Sequence, residues 1–182
     1  KIKELADYFA DMYKNNYSED WKWFEDKLTY SNSILSEALF LAGELTDNKQ
    51  YLEIAETTLE FLSNIVLINN CLYPIGESGW CKRNGERAFF DQQPIDAAAM
   101  VQVYIAAYRI TGKKDYYDKS VLAFNWFLGK NHLKQIIYDE TTGGCYDGLA
   151  EREMYMNQGA ESTIVYLTSR LMLEELKKIS QS

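Results

Sequence analysis

"EALFLAGELTDNKQYLEIAETTLEFL" (37–62) and "QVYIAAYRITGKKDYYDKSVLAFNWFL" (102–128) carry one pattern twice, at an offset of 65 residues. Thr46 falls on Thr111, Tyr51 on Tyr116, Leu59 on Phe124 and Phe61 on Trp126. Each copy reads as helix, polar turn ("TDNKQ", "TGKKD") and helix, because apolar residues recur at three- and four-residue spacing on both sides of the turn. One helical pair cannot bury its apolar face alone, so the repeat predicts an all-α array of stacked hairpins, an α/α toroid-like fold.

Working outward, the same spacing predicts helices near 2–14, 31–46, 49–67, 94–111, 114–128 and 159–179. Strand-like runs are confined to two long connections, 68–93 and 129–158. Connections of that length inside a compact domain are usually functional. "DAAAMVQVYIAAY" (96–108) is rich enough in alanine for a crowded inner layer, whereas "KKDYYDKSVLAFNWFLGK" (113–130) has the amphipathic pattern of an outer ring. The inner helices then start at one common end, and the long connections lead into it.

The 182 residues fit a single domain spanning 1–182, or a fragment of one. The chain opens on Lys1 inside a helical pattern, as a piece of a longer protein would. With 27 acidic against 19 basic residues, the net charge of −8 argues against nucleic acid or an anionic membrane as partner. No apolar run approaches the roughly 18 residues of a membrane span. Cys71, Cys81 and Cys145 lack CxxC spacing, and with the single His132 they form no zinc set, so neither metal nor other cofactor is expected. Free thiols in a reducing cytoplasm are the expected state. No glycine-rich phosphate loop is present, since "TTGGCYDG" (141–148) has neither the GxGxxG spacing nor the P-loop lysine.

Three segments lead into the inner helices: "DWKWFEDKLTYSNS" (20–33), "NGERAFFDQQPID" (84–96) and "CYDGLAEREMYMNQGAES" (145–162). They bring Trp23, Glu25, Asp26, Tyr30 and Asn32 together with Glu86, Arg87, Asp91, Gln92 and Gln93. The third adds Tyr146, Asp147, Asn157, Gln158 and Glu161, and the preceding loop contributes Trp80. Carboxylates and amides pair with vicinal hydroxyls and ring faces stack on sugars, so this set points to a carbohydrate ligand. Asp91, Glu86 and Glu161 are the candidate catalytic carboxyls; a separation of about 6.5–9.5 Å suits inversion of a glycoside and about 5–5.5 Å suits retention. Pro94 through Met100, Asp96 included, reads as helix initiation and close packing, with Gln93 as the cap. His132 falls in a turn after an outer helix, away from that end, and offers no imidazole for epimerase chemistry.

The blocks "FDQQPIDAAAM" and "NQGAEST", with "WFLGKN" and "YDETTGGCYDGL", resemble the α/α-toroid domain of bacterial and archaeal proteins assigned as glycosyltransferases, a six-hairpin glycosidase-like domain. The resemblance covers nearly the whole sequence and matches the C-terminal half of that domain, about half of an (α/α)6 barrel. It implies a module of glycan synthesis or remodelling whose partners are a glycosyltransferase domain or a second toroid half. Two functions follow as expectations: a carbohydrate-binding or carbohydrate-processing module, with glycoside hydrolysis by an acidic pair, or a non-catalytic scaffold for a transferase.

Overall fold

The computed structural model describes residues 1–180. Six helices carry the fold: α1 (Ile2–Asn16), α2 (Ser33–Thr46), α3 (Lys49–Val66), α4 (Pro94–Thr111), α5 (Lys114–Phe124) and α6 (Ala160–Ser180). They alternate between two layers of one arc. α4 lies between α2 and α6, while α3 backs α2, α5 backs α4, and α1 leans on α2 and α3.

The repeat seen in the sequence recurs bond for bond. Thr46 and Thr111 each turn a hydroxyl back onto the carbonyl four residues earlier, of Ala42 and Ala107, both at 2.7 Å. α2 and α4 each then end on a left-handed residue, Asp47 at φ 50° and Gly112 at φ 69°, which lets the chain reverse. Tyr51 and Tyr116 follow at the same position and are both buried.

α4 starts at Pro94, whose fixed φ suits the first helical position after the extended Gln93. It is buried around nearly its whole circumference, including Ala97, Ala98, Ala99, Ala106 and Ala107, because small side chains let the flanking helices approach. The outer helices bury one stripe each, such as Tyr51, Ile54, Thr58 and Leu62 on α3. Hydroxyl pairs tie the layers: Ser36 to Thr58 at 2.8 Å and Ser63 to Tyr104 at 2.7 Å. α5 stops at Phe124, short of the expected 128. A turn there swings Trp126 and Phe127 into the core, held by the Asn131 amide on the Trp126 and Gln135 carbonyls.

The connections form three two-stranded ribbons, β1 (Lys27–Leu28) with β4 (Cys81–Lys82), β2 (Leu67–Ile68) with β3 (Cys71–Leu72), and β5 (Gly148–Leu149) with β6 (Met154–Tyr155). The first joins the loop before α2 to the loop before α4. A bridge between Gln92 and Leu149 then joins the loop before α4 to the loop before α6. All three lead-in segments are thereby stitched at one end of the arc. Among the described residues no helix is long and apolar enough to cross a membrane.

Candidate functional site

Residues 76–80 are clasped onto residues 88–91. Gly76 N–H donates to Ala88 O, Glu77 N–H to Asp91 O and Ala88 N–H to Trp80 O, at 2.7 to 3.1 Å. A Cβ on Gly76 would collide with the Phe90 backbone, so this close approach requires glycine. Arg87 anchors the clasp from beneath. Its guanidinium donates to the carbonyls of Ile65, Tyr73 and Pro74 and lies 4.6 Å from the Phe89 ring centroid. Burial lowers its pKa to about 10, which leaves it charged at neutral pH.

Under this loop, at the start of α4, sits Asp96, only 6% exposed. Its Oδ1 accepts the Ser31 backbone N–H at 2.6 Å, while its Oδ2 is buried and has no partner. Burial pushes the carboxyl up to about 7, against the lowering pull of the Ser31 N–H, and the negative charges of Glu77 and Glu161 add to the rise. The Asp91 carboxyl is the main influence raising the Tyr155 phenol, with burial and the charges of Glu153 and Glu77 adding to the rise. Tyr30, next to Ser31, is 59% exposed and meets the Trp80 ring at 6.3 Å and 41°. A small hollow of Asn32, Ser33, Pro74, Ile75, Asp96 and Met100 adjoins the acid. This end of the arc therefore holds a neutralisable buried carboxyl, the exposed carboxylates of Glu77 and Glu161 that act on it, and the Tyr30–Trp80 ring pair.

Asp96 lies in the first turn of α4 and is buried, as its place after Pro94 predicts, and its carboxyl also reaches another segment. A capping carboxylate faces the helix N–H groups and ionises easily, whereas this one bonds a different segment and resists ionisation. A clue lay in the repeat, because 31, 96 and 161 are successive equivalents.

Glu161 is exposed in the first turn of α6 and Asp91 is half-buried in the clasp; Glu86 is exposed on the turn before Arg87 and touches none of these groups in the described contacts. Trp80 is half-buried in the shelf. Glu25 and Asp26 are exposed beside β1, their carbonyls accepting from Trp21 Nε1 and Arg83 N. Gln93 is half-buried and makes no side-chain cap.

Several expected sugar contacts build the fold instead. Trp23 is completely buried against Phe24 and Phe61, so it offers no face to a ligand. Gln92 is fully buried; its Oε1 accepts Trp126 Nε1 and its Nε2 donates to Phe89 O, both at 2.9 Å. Asp147 closes the loop before α6, accepting from Gly159 N at 2.8 Å, Ser162 Oγ at 2.7 Å and Asn157 Nδ2. Gln158 bonds Thr142 and Asp139, and Tyr146 reaches Asp139 at 3.4 Å. The Arg87 guanidinium is likewise occupied by backbone. His132 is nearer this end than its place in the chain suggested. Its Nε2 is 2.8 Å from Ala150 O and its ring packs on Phe90 at 4.9 Å.

All three cysteines are free; burial raises Cys81 and pushes Cys145 up to about 12, so neither is a nucleophilic thiolate near neutral pH. Among the described residues no group of His, Cys, Asp and Glu is arranged to hold a metal ion.

The backbone superposes on solved glycoside hydrolases. An unsaturated glucuronyl hydrolase of Bacillus sp. GL1, responsible for glycosaminoglycan degradation, matches with TM-score 0.65 at 15% identity, over 94% of this chain and 48% of that one. A family 76 glycoside hydrolase (mannosidase) of Bacteroides thetaiotaomicron matches with TM-score 0.63 at 13% identity, over 81% of this chain and 38% of that one. The fold is an α/α-toroid arc. At these identities the likeness is one of fold, and the chain spans less than half the length of either enzyme. No protein-family model and no curated protein matches the sequence.

Proposed function

We propose that this arc is the sugar-handling part of a carbohydrate-active α/α toroid, and that Asp96 is its proton donor in glycoside hydrolysis. The observation that carries the reading is the buried, unpartnered Oδ2 of Asp96 with Glu77 and Glu161 close enough to raise its pKa. A carboxyl held protonated near neutral pH can give its proton to the glycosidic oxygen as the bond to the anomeric carbon breaks. Glu161 is the proposed base, taking a proton from the water that attacks that carbon, with Asp91 and Glu86 as the alternatives in that role. The Tyr30–Trp80 shelf stacks the sugar ring. Glu25 and Asp26 extend the lip. The glycoside hydrolase neighbours share the fold and support a sugar as ligand.

The arc is open. α2 exposes Ile34, Leu41 and Leu45, and α6 exposes Ile164, Leu167 and Leu171, an apolar surface suited to further helical hairpins. Those stripes favour a second reading, in which the arc is a scaffold docked to a second toroid half or to a glycosyltransferase domain. A glycan panel read by calorimetry and by release of reducing ends separates the two readings. Binding by the wild type, with turnover lost in Asp96→Asn, supports the sugar site. A flat response to every glycan favours the scaffold.

A further inference from the structure

Two buried oxygens border one small space between the starts of α2 and α4. Ser33 and Asp96, 1% and 6% exposed, both line the hollow described above, and neither Ser33 Oγ nor Asp96 Oδ2 has a hydrogen-bond partner. They are not bonded to each other, so only an atom between them satisfies both. Leu62, Val66, Ile75 and Met100 make the wall apolar. The Asn32 amide, also on the wall, is engaged at both ends by Thr29, accepting its N–H and donating to its carbonyl at 2.8 Å. Ser31 Oγ, likewise buried without a partner, does not line the hollow. The centre of a water-sized sphere has about 10 Å³ there, the space of one water and far too little for a sugar ring. Buried polar atoms left unsatisfied are costly, and a polar recess one water wide is where an ordered water belongs.

We infer that the hollow binds one ordered water between Asp96 Oδ2 and Ser33 Oγ, and that Ser33 is a positioning residue for Asp96 through that water. The Ser31 N–H occupies Oδ1, which leaves Oδ2 to carry the proton of the neutral acid. Oδ2–H donates to the water, and the water donates one hydrogen to Ser33 Oγ and keeps the other free. Resting on the proton-donor reading above, the same water is the route to substrate, because a sugar ring does not fit the hollow. As the glycosidic bond breaks, its electron pair goes to the leaving oxygen; the water gives that oxygen a proton and takes one from Asp96 Oδ2. Asp96 ends as the carboxylate and the water is regenerated.

High-resolution crystallography of the whole chain, with kinetics on paired phenyl and dinitrophenyl glycosides of glucose, mannose and glucuronic acid, tests it. The wild type is expected to show one water about 2.6–3.2 Å from both oxygens, and Ser33→Val, whose methyl groups take the space, to lack it. Ser33→Ala is expected to lower kcat on the phenyl glycoside about fivefold to tenfold, the weight of one hydrogen bond. KM and the dinitrophenyl rate should not change, because that leaving group departs without a proton. Ser36→Ala, which breaks the buried Ser36–Thr58 pair of the same helix, should lower Tm and leave both rates alone. A hollow without that water, a direct Ser33–Asp96 bond, or equal rate losses on the two glycosides overturns the inference, while turnover that still depends on Asp96 keeps the proton-donor reading in place. A bound water in a chain that cleaves no glycoside overturns the relay and the proton-donor reading together, and upholds the water site.

Discussion

Ser31 donates its backbone N–H to Asp96 Oδ1 at 2.6 Å across a separation of 65 residues, one full repeat. Glu161, one repeat further on, is among the charges that raise Asp96. The same position in successive hairpins therefore comes to one end of the arc, because the inner helices all start there. Repetition alone places the three residues together. Their differing side chains make one of them a backbone donor, one a buried acid and one an exposed carboxylate.

Asp96 sets a stability–function opposition. Its folded pKa, about 7, lies above the ordinary value of 3.8, so the folded state holds a proton that the unfolded chain has released between those values. Stability is then greatest at low pH for this group and falls as pH rises from about 4 to about 7. Asp96→Asn is expected to raise Tm at pH 8, with a gain on the order of a few kcal/mol at most, and to show no gain near pH 3. Thermal melts of both proteins across pH check it. A destabilised Asn variant at pH 8 would contradict the assignment.

The two tryptophans of the lead-in loops should respond oppositely. Trp80→Ala is expected to weaken sugar binding by about 0.5–1.5 kcal/mol through lost stacking, with a smaller loss of stability than Trp23→Ala because Trp80 is only half-buried against the core. Trp23→Ala empties a fully buried site and is expected to cost about 3–5 kcal/mol of stability. Urea unfolding beside glycan calorimetry distinguishes them.

Asp147 caps the loop before α6. Burial works to raise its pKa, yet the hydrogen bonds from Asn157, Ser162 and Gly159 together hold it below the ordinary value. The stability it adds is therefore present above the unfolded pKa and lost as pH falls through the lower folded one. Asp147→Ala is expected to cost about 1–2 kcal/mol at neutral pH. The loss should shrink in melts recorded below about pH 3.

Gln92 joins three segments by its side chain and backbone. Gln92→Leu leaves Trp126 Nε1 without an acceptor in the core, and is expected to cost about 1–3 kcal/mol. Denaturant midpoints measure it, and Trp126 fluorescence should shift with the substitution.

Much of the arc was legible because helices announce themselves locally. Pro94 after an extended residue, Gly112 at a left-handed stop and the Thr46–Thr111 register are written within a few residues of where they act. The end of α5 was not legible. Trp126 continues the helical spacing in the chain but leaves the helix to reach Gln92, a partner 34 residues away.

The candidate site divides along the same line. The chain by itself determined that three polar, aromatic segments converge at the starts of the inner helices, since the 65-residue period carries that information. Only the tertiary structure decided which of those side chains are buried or already hydrogen-bonded and which keep an unpartnered atom. Trp23, Gln92 and Asp147 have the composition of sugar contacts, yet they are buried or fully hydrogen-bonded by groups from other segments. Asp96 has the composition of a helix start, yet it keeps one oxygen unpartnered. Burial and completed hydrogen bonding are properties of neighbours brought from far along the chain, and those properties separate Asp96, with its unpartnered oxygen, from the residues that hold the loops in place.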